Sequence, residues 1–159
     1  MTLLNAAPYD EKKENNRIKL WIAAGVLILL TAVVGLGGFF LGHGWFFTNM
    51  KAEFRVNAFM NTVESGDYGR AYAIWMADPD WPQHPQKYKD YPFEKFKEDW
   101  TTASDYGPIK SHHVDISKRT PEGDGIIVAV RINGSDQPLF IHYQRTNGTL
   151  SYSPAEIRY

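Results

Sequence analysis

From Leu20 to Leu41 the chain runs through 22 residues with no charged side chain, "LWIAAGVLILLTAVVGLGGFFL", and no Asp, Glu, Lys or Arg falls between Lys19 and Lys51. At about 1.5 Å per residue, a helix of this length spans the roughly 30 Å of a bilayer's hydrocarbon core. A cleaved export signal has a shorter apolar region, about 7–15 residues, closed by small residues at the cleavage site. Here bulky "FFLGHGWFF" closes the run instead. A buried helix of a soluble protein would carry a polar stripe, and this run has none. The reading is a retained signal-anchor, a single-pass transmembrane helix over residues 20–45. Trp21 and Trp45 bracket it where indoles settle at the two bilayer interfaces.

The flanks set an expected orientation. Lys12, Lys13, Arg17 and Lys19 precede the run, and only Lys51 and Arg55 follow closely. Cytoplasmic loops carry the excess of Lys and Arg. Residues 1–19 are therefore expected to form a cytoplasmic tail, and residues 46–159 a periplasmic or extracellular domain on a cell inner membrane. Within the run, Gly38 and Gly42 stand four apart, as on one helix face, and that face is a candidate groove for a partner helix.

Composition bounds the rest. The chain has 159 residues, so the part beyond the anchor suffices for one modest core. Net charge is −1, which supplies no long-range field for nucleic acid or an anionic membrane, and no nucleic-acid partner is expected. With no cysteine, the chain has neither disulfides nor thiolate chemistry, and this is neutral as to compartment.

Beyond the anchor the periodicity is that of an α+β domain. Ala52, Val56, Phe59, Met60 and Val63 make one helix face. Ser65-Gly66-Asp67 ends that helix, and Asp67 is placed to cap a second, carrying Tyr68, Ala71, Tyr72 and Trp75. The stretch Asp78–Pro92 has four prolines and reads as a loop. A third helix follows with Phe93, Phe96, Trp100 and Ala103 on one side, stopped by Gly107-Pro108. From Ile109 the period falls to two. His112, Val114 and Ile116 share a face, as do Ile126, Val128, Val130 and Ile132, then Leu139, Ile141 and Tyr143, then Leu150 and Tyr152. A two-residue turn at Asn147-Gly148 would set Tyr143 opposite Tyr152. "NGS" and "NGT" match glycosylation acceptors, but at these positions Asn-Gly is explained by the turns. The predicted architecture is three helices packed on a four-stranded antiparallel sheet, preceded by one transmembrane helix.

"FMNTVESGDYGRAYAIW", "FEKFKEDW", "YGPIKSHHVDI" and "GIIVAVRI" together resemble the nuclear transport factor two-like superfamily, a cone-shaped α+β roll. A more distant likeness, through the anchor and "GPI", is to the cytochrome oxidase assembly factor one family. The resemblance implies a fold and a cavity between helices and sheet. It implies no one activity, because the superfamily includes isomerases, dehydratases and non-enzymatic binding modules.

Catalytic signals are sparse. A base in such a cone needs placement and desolvation. His112 is the one candidate the strand phasing turns inward, with a hydrogen-bonded structural role as its alternative; His113 and Asp115 point outward. Adjacent His112 and His113 cannot share a metal, because strand neighbours face opposite ways. His84 and His142 lack partners at ligand spacing. No nucleophile elbow, phosphate loop or zinc helix occurs, and no cofactor or metal is expected. Trp81, Tyr88 and Tyr91 of the proline loop read either as interface anchors or as a cover over the mouth of the cone. The functional expectation is a membrane-anchored module acting by protein–protein interaction, an accessory or assembly subunit of a larger complex of membrane proteins. The alternative is an anchored small-molecule-binding protein, or an isomerase- or dehydratase-like enzyme, using the cone for a small apolar ligand.

Overall fold

Helix α1 runs unbroken from Glu11 to Phe40, 30 residues, in a computed structural model that describes residues 11–153 and 155–157. Of the expected tail, residues 1–10 lie outside the described residues, and Glu11–Lys19 continue the apolar helix as a polar first stretch. Straight-chain Glu and Lys favour helix, and Glu11 and Glu14 sit in the first turn, where the helix dipole favours anions. This is the one helix among the described residues long and apolar enough to cross a membrane.

α1 stops short of the expected Trp45. Gly42 turns left-handed at φ 79°, its N–H bonds the Phe39 carbonyl at 3.1 Å, and the His43 N–H bonds the Gly38 carbonyl at 3.0 Å. That pair of bonds is a glycine-terminated helix closure. The chain then reverses through a 3₁₀ turn, Trp45–Phe47, and lies back along the end of α1.

The three remaining α-helices are α2 (Met50–Glu64), α3 (Tyr68–Met76) and α4 (Phe93–Asp99). The face of α2 runs as its periodicity requires, with Ala52, Val56, Phe59, Met60 and Val63 all buried. Asp67 caps α3, its carboxylate accepting from the Arg70 N–H at 3.1 Å. α4 is shorter than its pattern, ending before Ala103, which is exposed. The Thr101 hydroxyl bonds the Lys97 carbonyl, and the Ala103 N–H reaches back to the Glu98 carbonyl at 2.9 Å, a six-to-one closure.

The sheet is an antiparallel meander, β1 (His112–Arg119), β2 (Gly125–Ile132), β3 (Leu139–Gln144) and β4 (Leu150–Tyr152), in that spatial order. Its inner face carries Ile126, Val128, Val130, Ile132, Ile141, Tyr143 and Leu150 onto the helices. Two registers depart from strict alternation. A bulge between Val114 and Ile116 sends Ile116 to the outer face and turns Ser117 inward. The β3–β4 connection has five residues, 145–149, with only Gly148 left-handed, so Tyr143 opposes Leu150 rather than Tyr152. Asn147 stays in the ordinary region because its side-chain oxygen accepts from the Thr149 N–H and hydroxyl. Asn133 and Gly134, with φ 51° and 71°, do form the tight left-handed turn that "NG" favours. On the outer face Ile157 of the C-terminal segment covers Ile127 and Ala129 beside Ile116 and Phe140.

Candidate functional site

The space between helices and sheet is occupied by rings. Phe59 lies 4.9 Å from Trp75 and 4.8 Å from Trp100, centroid to centroid, and Phe96 packs against all three. Tyr152 stacks over Trp100 at the sheet's last strand. Phe59, Trp75, Phe96 and Trp100 are each nearly or fully excluded from solvent. The rings fill the centre of what a cone would offer as a cavity, and an opening of about 290 Å³ lies at its edge, lined by Trp100, Tyr106, Leu139 and Tyr152 among others.

His112 does face inward, and both its ring nitrogens are engaged. Nδ1 lies 2.6 Å from Glu64 Oε1 and Nε2 lies 2.8 Å from Asn57 Oδ1. Its side chain is 8% exposed. The residue joins β1 to two positions on α2, with neither nitrogen left to meet a substrate. Outside, Asp115 is held by Arg131 at 2.7 Å, and His113 stands in solvent.

The proline loop is fastened from within. The Trp81 indole N–H donates to the Gly69 carbonyl at 3.2 Å, the Tyr88 hydroxyl to Asp78 at 2.6 Å, and the Tyr91 hydroxyl to Asp99 at 2.8 Å. All three rings are half-buried against the main core. Trp81 and Tyr88 both meet Tyr72 edge-on. His84 also bonds Asp78, as does Lys87. The Tyr88 hydroxyl above all, then His84 and Lys87, hold the Asp78 carboxyl well below the usual carboxylate range. Burial first, then Tyr152 and Asp99, push the Tyr91 hydroxyl up. Among the described residues no cluster of His and acids is arranged to hold a metal.

The junction between α1 and the folded domain is the more informative region. A Cβ on Gly38 would come within 2.6 Å of the Gly44 carbonyl oxygen and 2.7 Å of the Phe47 nitrogen. One on Gly35 would meet the Phe46 ring at 2.8 Å. The bare side of α1 is thus filled by the chain's own returning turn. Gly38 and Gly42 do not share a helix face, because the helix has ended between them and Gly42 packs on Ile116 instead. Phe46 and Phe47 both adopt left-handed φ, 52° and 55°, a conformation bulky side chains hold only when packing imposes it.

From this turn a set of bonds fastens the end of α1 to the domain. The Ser117 N–H donates to the Gly42 carbonyl at 2.8 Å, and the Asn49 amide donates to the Ser117 carbonyl at 3.2 Å. Glu53, buried on α2, meets His43 at 2.9 Å and accepts from the Ser117 hydroxyl. Sequence reasoning passed over Asn49, Glu53 and Ser117. The available signal was an acid, Glu53, directly beside Ala52 on an apolar stripe. Its partner Ser117 was hidden by the bulge.

Comparison of the chain with protein-family models, with curated proteins and with solved structures found no match.

Proposed function

We propose that this protein is a single-pass membrane-anchored binding module, an accessory or assembly subunit of a larger membrane protein complex. One observation carries the reading. Among the described residues, every large apolar side chain left exposed, Tyr152 apart, lies between Ile18 and Phe54. Exposed apolar surface so concentrated marks contact with a membrane or a protein. α1 accounts for most of it. Beyond the helix the exposed set continues through Trp45, Phe46 and Met50 to Phe54, which is 63% exposed on α2 and lines an open groove with Lys51, Arg55 and Arg145. An aromatic flanked by arginines is the composition of an interface anchor.

The order of three helices before a four-stranded meander supports the likeness to the nuclear transport factor two-like superfamily. The ring-filled interior weighs against its use as a small-molecule cone. In this reading the N-terminus is cytoplasmic, and the domain from Met50 stands on the periplasmic or extracellular side of an inner membrane. Protease added to intact spheroplasts tests the topology: the domain is digested and the N-terminal tail is protected. A photo-crosslinker at position 54 of the full chain tests the function. A discrete adduct with another membrane polypeptide is expected, and the absence of any adduct would count against the subunit assignment.

A further inference from the structure

A groove of about 650 Å³ opens where the end of α1 meets the edge strand β1. Phe39, Trp45, Ile116 and Ile157 supply its apolar walls, and Lys118 and Arg119 line it as well. Among the described residues, no acidic side chain lines it. Strand neighbours leave on opposite faces, but β1 is an edge strand, and both of these long side chains line the groove. Both are exposed, and neither has an acidic partner among the described residues. Phe39 belongs to the last turn of the apolar helix, and Trp45 packs edge-on against it at 6.0 Å. If α1 spans the bilayer, this places the groove at the depth of the lipid headgroups.

We infer that the groove binds the headgroup of an anionic phospholipid, with Lys118 and Arg119 on the phosphate and the acyl chains lying along the exposed face of α1. The inference rests on the membrane-anchored reading above. The charge is local, since the chain's net charge of −1 gives no general attraction to an anionic surface. Arginine offers a planar fork that matches phosphate, and lysine adds a point charge. The apolar walls fit the glycerol and first methylenes, which a free phosphate would leave unfilled. Because Ser117 bonds Gly42 in the floor of the groove, a bound lipid would touch both anchor and domain.

The test uses the full chain purified in mild detergent. Phosphatidylglycerol or phosphatidylcholine is added, and retained lipid is read by native mass spectrometry. Retention of phosphatidylglycerol about ten- to thirty-fold above phosphatidylcholine is expected, from two cations acting near a membrane surface. Lys118→Ala with Arg119→Ala should abolish the preference, and Lys97→Ala on α4 should leave it intact. Equal retention of the two lipids, or a preference surviving the double substitution, would overturn the inference. Flotation with phosphatidylcholine vesicles separates this failure from failure of the membrane reading. A chain that floats without lipid preference loses only the inference, whereas a chain that does not float loses both.

Discussion

The backbone N–H of Ser117 donates to the carbonyl of Gly42 at 2.8 Å, joining the residue that closes the apolar helix to the edge strand of the folded domain. A flexible linker between a long helix and a folded domain would leave the domain free to tumble. Here the turn between them is hydrogen-bonded to β1 and packed on α1, so the domain is held at a set distance from the end of the helix. That geometry suits a subunit whose binding surface must meet a neighbour close to the bilayer.

The junction should therefore contribute to domain stability. A chain beginning at Leu41 is expected to unfold at higher denaturant than one beginning at Met50, by about 1–3 kcal/mol from the Asn49, His43 and Ser117 bonds. Equal midpoints in urea would show the junction to be ornamental.

Gly42→Ala should cost about 1–3 kcal/mol, because a left-handed φ is imposed on an L-residue and its Cβ would stand 2.7 Å from Ile116 Cγ2. Gly37→Ala, with open space at its Cβ, is the matched control and should be neutral or slightly stabilising. Thermal melts of the two variants in detergent decide it, and indistinguishable midpoints would contradict the described turn.

His112→Ala should destabilise the domain by about 1–3 kcal/mol, since it strands Glu64 and Asn57 at a half-buried site. The effect should be non-additive with Glu64→Gln, as expected for residues in direct contact. Full additivity in the double-mutant cycle would mean that the two side chains do not interact.

Asp78 gives the pH dependence. Its folded pKa is depressed below the ordinary value of 3.8, foremost by the Tyr88 hydroxyl. The stability it contributes is present above the unfolded value and is lost as pH falls through the lower folded one. The wild type should accordingly lose stability more steeply than Asp78→Asn once pH drops below about 4. Parallel acid titrations of the two proteins would contradict the Tyr88–Asp78–His84 arrangement.

The elements legible in the sequence were those with long, uninterrupted periodicity. The stripe Ala52 to Val63, the Asp67 cap, and the inward faces of β2 and β3 appear where the pattern put them, because the apolar residues of the inward set pack on the helices. What escaped were local exceptions to period. One extra residue in β1 reverses Ile116 and Ser117, and nothing in "HHVDISKR" announces it. Asn147 matched a two-residue turn, but its side chain found the Thr149 N–H first. The candidate site was least legible, because it depends on a chain reversal at Phe46 and Phe47 that backbone preference opposes and only packing on Gly35 and Gly38 explains. The glycines carried the right signal, a close approach to α1, and the approaching group is the chain itself.

The most direct test of the central claim is the native mass of the full chain extracted from its own membrane in mild detergent. It should elute with other membrane polypeptides at stoichiometric yield, and Phe54→Asp should release it from them while leaving it in the membrane. A monodisperse monomer, free of partners in the wild type, would contradict the assignment as a complex subunit.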